Sequence, residues 1–341
     1  MSTFTSKTTS HGASPSTFST PASTSLFRRL TWEGTVPIEV HIDPKELPAN
    51  SDRGLESYYI QAPRVSYLPL LIPEIKRFLT DLVLDDAGNM SVRESDWWFE
   101  GDDGHPVKWH WPIGLLYDCH SVSLTTPSTS FALPLRMTLH LASPPIDKLL
   151  LSPSQEACKQ AFMGQLKEAD FLRWGSTKRV TGLRKAEQDG IWEGIKDHNF
   201  DNFWRVASKI CPTANPSTSN SVTSQQSGAA TLPRTPVNDT QGLPDSAYSV
   251  RNIPLRMYLP DGPVLQDLVA PNTEDGQPLI LGRLLTTSLP LLFPENSPAL
   301  AYALIQGVLC PLQSEIAWLS ACLAGADGWL NICIGLKARK H

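Results

Sequence analysis

Apolar positions along the chain recur at two different periods, and the changes of period divide it. Between Leu30 and about Leu141 the strand period dominates: Val36, Ile38, Val40 and Ile42 alternate, as do Leu133, Leu135, Met137, Leu139 and Leu141. Alternation of this kind belongs to strands with one buried face. Leu70 to Leu82 carries the helical period instead, with Pro73 in its first turn, where proline is tolerated. Trp97-Trp-Phe-Glu, the turn Gly101-Asp-Asp-Gly104 and Val107-Lys-Trp-His-Trp111 predict a hairpin. From Ser152 to Ile210 the pattern is helical. Ala157, Cys158, Ala161, Phe162, Leu166, Ala169 and Leu172 fall within one half-circle at ~100° per residue. Ser152 is the candidate N-cap of this helix, Pro153 suits its first position and Gln155 completes a capping box. Ile191, Trp192, Ile195, Phe203, Val206 and Ile210 predict at least one more amphipathic helix.

Toward the end of the chain the first pattern returns. Ile253, Leu255, Met257 and Leu259 alternate, followed by the turn Pro260-Asp-Gly262 and the apolar positions Val264, Leu265 and Leu268. A helix near Leu281 to Leu289, a strand Tyr302 to Leu309, a helix Gln313 to Leu323 and a strand Trp329 to Ile334 complete it. Hairpin, helix, strand, short helix and final strand is the order of a β-grasp, or ubiquitin-like, unit. Residues 30–141 fit the same template less cleanly. The expected fold class is therefore α+β, with two ubiquitin-like β-grasp domains flanking a helix-rich domain. Composition refines the boundaries. Residues 1–25 hold 15 Ser or Thr and predict a disordered tail; residues 212–248 are a Ser/Thr/Pro-dominated linker. The domains then span 26–143, 144–211 and 249–341.

Lys167 lies opposite the centre of the apolar stripe of its helix, so it points to solvent or to a partner. Met163 and Phe171, four residues to either side, fall on the same outer flank. Two readings stand at this point: a surface lysine beside residues that pack under a neighbouring element, or a place where another protein docks. Gly164, one turn earlier, is either a tolerated helix glycine or room for an incoming chain.

The 29 basic and 34 acidic residues nearly balance, so no nucleic-acid surface is indicated. The six cysteines form no C-x-x-C pair and no zinc spacing, as expected of reduced packing residues in a cytoplasmic protein. No secretory signal or membrane span is evident, and the two N-glycosylation sequons, at Asn89 and Asn238, carry little meaning without one. No nucleophile elbow, phosphate loop, dinucleotide fingerprint or zinc-protease motif occurs, so neither a catalytic residue, a metal site nor a cofactor is assigned. Cys119 and His120 are adjacent in what reads as a strand and would face opposite ways; His110 fits as packing within an aromatic hairpin. Glu100, Asp102 and Asp103 fit a solvated turn. The chain ends Leu336-Lys-Ala-Arg-Lys-His341, without the terminal glycine of a ubiquitin-like modifier, though it can still receive one.

Several segments resemble the autophagy protein 5 family: Pro63-Arg-Val-Ser-Tyr-Leu68, Val107-Lys-Trp-His-Trp-Pro-Ile-Gly-Leu-Leu-Tyr-Asp118, Phe162-Met163 with Lys167-Glu-Ala-Asp170, Phe200-Asp-Asn-Phe-Trp204 and Ile253-Pro-Leu-Arg-Met-Tyr258. They follow the family's order from about Trp32 to Ile334. The resemblance implies two ubiquitin-like domains around a helical one, and a covalent isopeptide between Lys167 and the ubiquitin-like autophagy protein 12. It implies that the conjugate binds the coiled-coil autophagy protein 16 and acts like an E3, promoting transfer of autophagy protein 8 from its conjugating enzyme to phosphatidylethanolamine. It further implies recruitment to the phagophore assembly site as a peripheral membrane protein. The partner's helix is expected in a groove between the domains, with the segment Trp109, Trp111 to Tyr117 either bordering it or serving as internal packing. A basic cluster, Lys178, Arg179, Arg184 and Lys185, is either a solvated face or a lipid contact. The alternative is a ubiquitin-like adaptor that binds partners without covalent modification. Isopeptide formation needs a neutral amine, and lysine amines in water are overwhelmingly protonated at neutral pH, so the conjugating enzyme must supply the base or the desolvation. Asp170 would favour the charged amine and is no activator.

Overall fold

A computed structural model describes residues 21–43, 45–47, 57–82, 93–124, 133–149, 154–215, 245–260 and 262–337. The interior of the linker, most of the Ser/Thr-rich tail, Ser152, Pro153, both sequons and the last four residues lie outside them.

The alternation of Val36, Ile38 and Val40 forms β1 (Thr35–Ile42), whose buried side chains are these three with Glu39 between them. β1 pairs antiparallel with β2 (Tyr58–Pro63) and parallel with β4 (Leu135–His140), which pairs antiparallel with β3 (Trp98–Gly101). The sheet order is β2-β1-β4-β3. Helix α2 (Leu68–Leu82) buries Leu68, Leu71, Ile72 and Ile75 in its core. The second sheet repeats the scheme. β5 (Leu255–Tyr258) pairs antiparallel with β6 (Val264–Leu265) and parallel with β9 (Leu330–Leu336), and β9 pairs antiparallel with β7 (Ala301–Ile305). β8 (Val308–Leu309) completes the order β6-β5-β9-β7-β8. A hairpin whose first strand runs parallel to a later strand is the β-grasp arrangement, and it occurs twice.

In sequence between the two sheets come α4 (Gln155–Trp174), α5 (Lys178–Thr181), α6 (Lys185–Lys196) and α7 (Phe200–Ala207). Their buried residues, among them Phe162, Leu166, Trp192 and Phe203, join the first sheet's core in one continuous cluster, whereas the second sheet has its own. α8 (Leu281–Ser288) and α9 (Ile316–Leu323) cover the second sheet.

Four expectations change. Residues 21–25, grouped with the tail, begin α1 (Pro21–Trp32). Thr24, Phe27, Arg28 and Trp32 share its inner face. The Arg28 guanidinium donates to the carbonyls of Ala321 (2.7 Å) and Ser320 (3.2 Å) on α9, while Trp32 packs on Phe203 at 4.6 Å. A Ser/Thr-rich composition hid this spacing. The ends of the linker are also folded: Thr213 bridges Ser246, and Ala214 and Ala247 are buried in the second core. The segment 107–111 is a turn rather than a returning strand. Only its start keeps a hairpin bond, Val107 N–H to the Phe99 carbonyl at 2.8 Å, next to the turn in which the Gly101 N–H donates to the His105 carbonyl at 2.9 Å. Pro112, extended at φ −57° and ψ 141°, then opens α3 (Ile113–Ser123), which places Cys119 and His120 on a helix. Finally, Tyr302 to Leu309 is two strands, not one. Gln306 (φ 51°) and Gly307 (φ 76°) form the two-residue turn with two positive φ angles that suits a tight hairpin.

Candidate functional site

Helix α4 starts two residues later than its sequence suggests. The Ser154 hydroxyl accepts from the Ala157 N–H at 3.1 Å, so Ser154 rather than Ser152 is the N-cap. Gly175, at φ 69°, closes the other end in the left-handed conformation and donates to Phe171 O. Cys158, Phe162, Leu166 and Ala169 form the buried stripe.

The four residues of Lys167-Glu-Ala-Asp170 have separate surroundings. Glu168 pairs with Arg256 on β5 at 3.2 Å. The same guanidinium donates to the Gln165 side chain at 2.7 Å and lies 3.6 Å over the ring of Trp329. The Trp329 indole N–H in turn donates to the Gln165 carbonyl at 3.1 Å. Ala169 is fully buried against the turn before β9: a Cβ on Gly328 (φ 86°) would lie 3.1 Å from the Ala169 methyl and 3.0 Å from the Arg173 guanidinium. Arg173 donates to the Gly328 carbonyl. Asp170 turns inward and accepts from the Val180 N–H of α5 at 3.2 Å; burial raises its carboxyl above the ordinary range, partly offset by that N–H. Asp170 therefore fixes α5 and stays away from the amine.

Lys167 differs from its neighbours. Its side chain is half-buried and forms no hydrogen bond or ion pair among the described residues. Gly164, Glu168 and Phe171 around it are exposed, and a Cβ at Gly164 would meet nothing within 4 Å. Met163 does not share this flank, because it folds into the first core. The amine thus has no partner among the described residues, on a helix held by the second sheet on one side and the first core on the other.

The aromatic segment divides. Trp109 is buried in the first core, and Tyr117 is half-buried with its hydroxyl on the Leu133 carbonyl at 3.2 Å. Neither lines the cleft between the two sheets. Trp111 lies on the wall of a cleft of about 610 Å³ between the two sheets, beside Lys108, His120, Tyr258 and Val264. Its ring meets Tyr258 edge-on at 5.0 Å and carries the Lys108 amine at 4.1 Å. His110 is packing between Trp109 and Trp111, and burial lowers its pKa. In the basic cluster, Arg179 is committed to Asp245 and to the face of Trp174 at 4.0 Å; Lys178, Arg184 and Lys185 are exposed.

Ligand chemistry elsewhere is sparse. Asp43, Glu46 and His140 bring donor atoms within 4.8 Å of one another. Glu46, however, is committed to the N–H groups of Leu141 and Ala142 and to His140 Nδ1 at 2.8 Å, which makes it a loop clamp. Burial pushes the thiols of Cys158 up to about 12 and of Cys310 and Cys322 up to about 11, far from a nucleophilic thiolate at neutral pH.

The sequence matches the domain described as "Autophagy protein ATG5, UblA domain" over residues 31–141, the "alpha-helical bundle region" over 155–213 and the "UblB domain" over 252–334. The chain belongs to the autophagy protein 5 family. Autophagy protein 5 of Phaeosphaeria nodorum is 32% identical, covering 91% of this chain and 97% of the relative. That of Neosartorya fischeri is 30% identical over 92% and 96%. The crystal structure of Kluyveromyces marxianus Atg5 superposes with a TM-score of 0.66 at 23% identity, over 92% of this chain and 99% of that one. The family's two ubiquitin-like domains are the two sheets, and Lys167 falls within its helical bundle region. No described helix is long and apolar enough to cross a membrane.

Sequence reasoning missed Arg256 and Trp329, the residues that seat α4 on the second sheet. A basic residue in an alternating strand and an aromatic at a strand's edge carry no local mark of a contact 91 or 164 positions away.

Proposed function

We propose that this chain is a non-catalytic scaffold of an E3-like conjugation complex, and that Lys167 is its covalent acceptor. In this reading the Lys167 amine attacks the thioester joining the C-terminal glycine of autophagy protein 12 to its conjugating enzyme. The new C–N bond replaces the C–S bond, the cysteine leaves as thiolate and the amine gives up its proton to the enzyme. The observation that carries the reading is the contrast within one motif. Glu168, Ala169 and Asp170 each bind another part of the fold, while Lys167 stands without a partner on a helix so fixed. Such an amine is presented to an incoming thioester with no intramolecular bond to break and little helix motion to arrest. Nothing beside it acts as a base, so deprotonation falls to the conjugating enzyme.

The conjugate then binds autophagy protein 16 and promotes transfer of autophagy protein 8 to phosphatidylethanolamine, recruited to the phagophore assembly site as a peripheral membrane protein. The cleft between the two sheets, with Trp111 and Tyr258 on its wall, suits the apolar face of an amphipathic helix from that coiled-coil partner.

A denaturing gel tests the central step. With autophagy protein 12 and its activating and conjugating enzymes, the wild type gains a band of higher mass and Lys167→Arg does not. Persistence of that band in Lys167→Arg would disprove the acceptor assignment. A folded wild type that never shifts would favour the adaptor that binds without modification.

A further inference from the structure

Of the six cysteines, two meet. Cys119 reaches from α3 and Cys333 from the middle of β9, and their sulfurs lie 3.7 Å apart although 214 residues separate them in sequence. They meet in the seam between the two ubiquitin-like units, where Leu115, Val122 and Tyr258 form a small buried cluster with Cys333. The two thiols differ in access. Cys333 is 1% exposed, whereas Cys119 is half-buried and lies on the wall of the open cleft between the sheets.

The other cysteines lack this combination. Cys158, Cys310 and Cys322 are buried. Cys211 is partly exposed but has no second thiol in contact among the described residues. An oxidisable thiol that solvent reaches, set against a buried resolving thiol, is the arrangement from which reversible disulfides form. We propose that Cys119 and Cys333 are a redox modification site, joined into a disulfide by hydroperoxide that enters through the cleft.

The chemistry balances in two steps. The Cys119 sulfur attacks one peroxide oxygen: the O–O bond breaks, a sulfenic acid forms and one water (or alcohol, from an organic hydroperoxide) leaves. The Cys333 sulfur then attacks the sulfenyl sulfur. The S–S bond forms, the S–O bond breaks and the hydroxyl departs as water with the proton of Cys333. Two thiols have lost two electrons and two protons, and the peroxide has accepted both. Peroxide in the cleft reaches Cys119 and not the buried Cys333, so oxidation begins at Cys119. A disulfide spans ~2.05 Å, so the sulfurs, now 3.7 Å apart, approach by roughly 1.7 Å on oxidation. The product staples the first ubiquitin-like unit to the last strand of the second. Its formation depends on this seam and not on the role of Lys167.

The test uses the full chain, purified reduced. Protein is treated with hydrogen peroxide, free thiols are alkylated, and peptides are mapped without reductant. The expected result is a single linked pair, Cys119 with Cys333, at least ten times more abundant than any other. Dithiothreitol reverses it, and Cys119→Ser abolishes it. Dimedone, which traps sulfenic acid, should label Cys119 in Cys333→Ala at least tenfold more than in wild type, where Cys333 consumes the intermediate. If Cys333→Ala does not fold, the Cys119→Ser comparison decides alone. The proposal is overturned if folded wild type gives no Cys119–Cys333 peptide, or if the link forms only in urea. It is equally overturned if Cys119 proceeds to sulfinic acid while Cys333 remains open to alkylation.

Discussion

Arg256 is the residue through which the acceptor helix leans on the second sheet, and its removal has a calculable effect. Its side chain is 18% exposed and, besides an exposed bond from its Nε to Gln266 at 3.1 Å, makes three contacts of unequal worth with α4 and Trp329. The bond to the Gln165 amide at 2.7 Å is a charge-assisted hydrogen bond, worth about 1.5–3 kcal/mol. The face of Trp329, itself fully buried, adds about 0.5–2 kcal/mol. The pair with Glu168 counts least: the carboxylate is 45% exposed, which places it in the range of about 0–1 kcal/mol. These contacts share one guanidinium and do not add in full. Arg256→Ala is therefore expected to cost about 2–4 kcal/mol, and Glu168→Gln under about 0.5 kcal/mol.

Urea unfolding followed by tryptophan fluorescence measures both. With a slope of about 2–3 kcal/mol per molar, Arg256→Ala should lower the midpoint by roughly 1 M, and Glu168→Gln should hardly move it. Arg256→Lys should fall between, since a point charge cannot bridge Gln165 and stack flat on Trp329 at once. A loss below about 1 kcal/mol for Arg256→Ala would refute the partition, because the least of the two strong contacts already exceeds that in combination. A cost for Glu168→Gln equal to that of Arg256→Ala would also refute it, by making the exposed ion pair the true anchor.

Two further outcomes follow from buried charge. Arg64 and Asp118 pair at 2.6 Å with both side chains under a tenth exposed, and Asp118 also accepts from the Gly307 N–H at 2.9 Å. Asp118→Ala strands the guanidinium and should cost about 3–5 kcal/mol in thermal unfolding, whereas Arg64→Met with Asp118→Leu should recover most of it. Glu39 accepts from Tyr59 (2.7 Å), Ser57 (2.9 Å) and Arg136 (2.9 Å), and the Tyr59 hydroxyl leads in holding its carboxyl below the ordinary 4.5. A depressed carboxyl contributes stability that is complete above 4.5 and lost as pH falls through its folded value. The difference in stability between wild type and Glu39→Gln should thus be constant near neutrality and shrink below that pH.

How much of this was legible beforehand depends on how many faces of an element are covered. β1 and β4 show their buried side chains as alternation because the other face stays partly wet. Helix α3, where Cys119 and His120 read as strand neighbours, shows no helical mark for the converse reason. Ile113 packs into the first core and Leu115 and Val122 into the seam against the second sheet, so its apolar residues circle the axis and leave no single stripe. The tight turn at Gln306 and Gly307 was marked only by that dipeptide between two short apolar stretches. The same logic governs Lys167-Glu-Ala-Asp170. That Lys167 faces outward could be read from the stripe opposite it. The duties of Glu168, Ala169 and Asp170 could not, since their partners Arg256, Gly328 and Val180 lie elsewhere in the sequence. Three of the four residues hold the helix, and the fourth forms no bond that its replacement would break. Lys167→Arg should therefore leave the urea midpoint unchanged, which allows a lost conjugate to be read as lost chemistry; changes at Ala169 or Asp170 would confound the two.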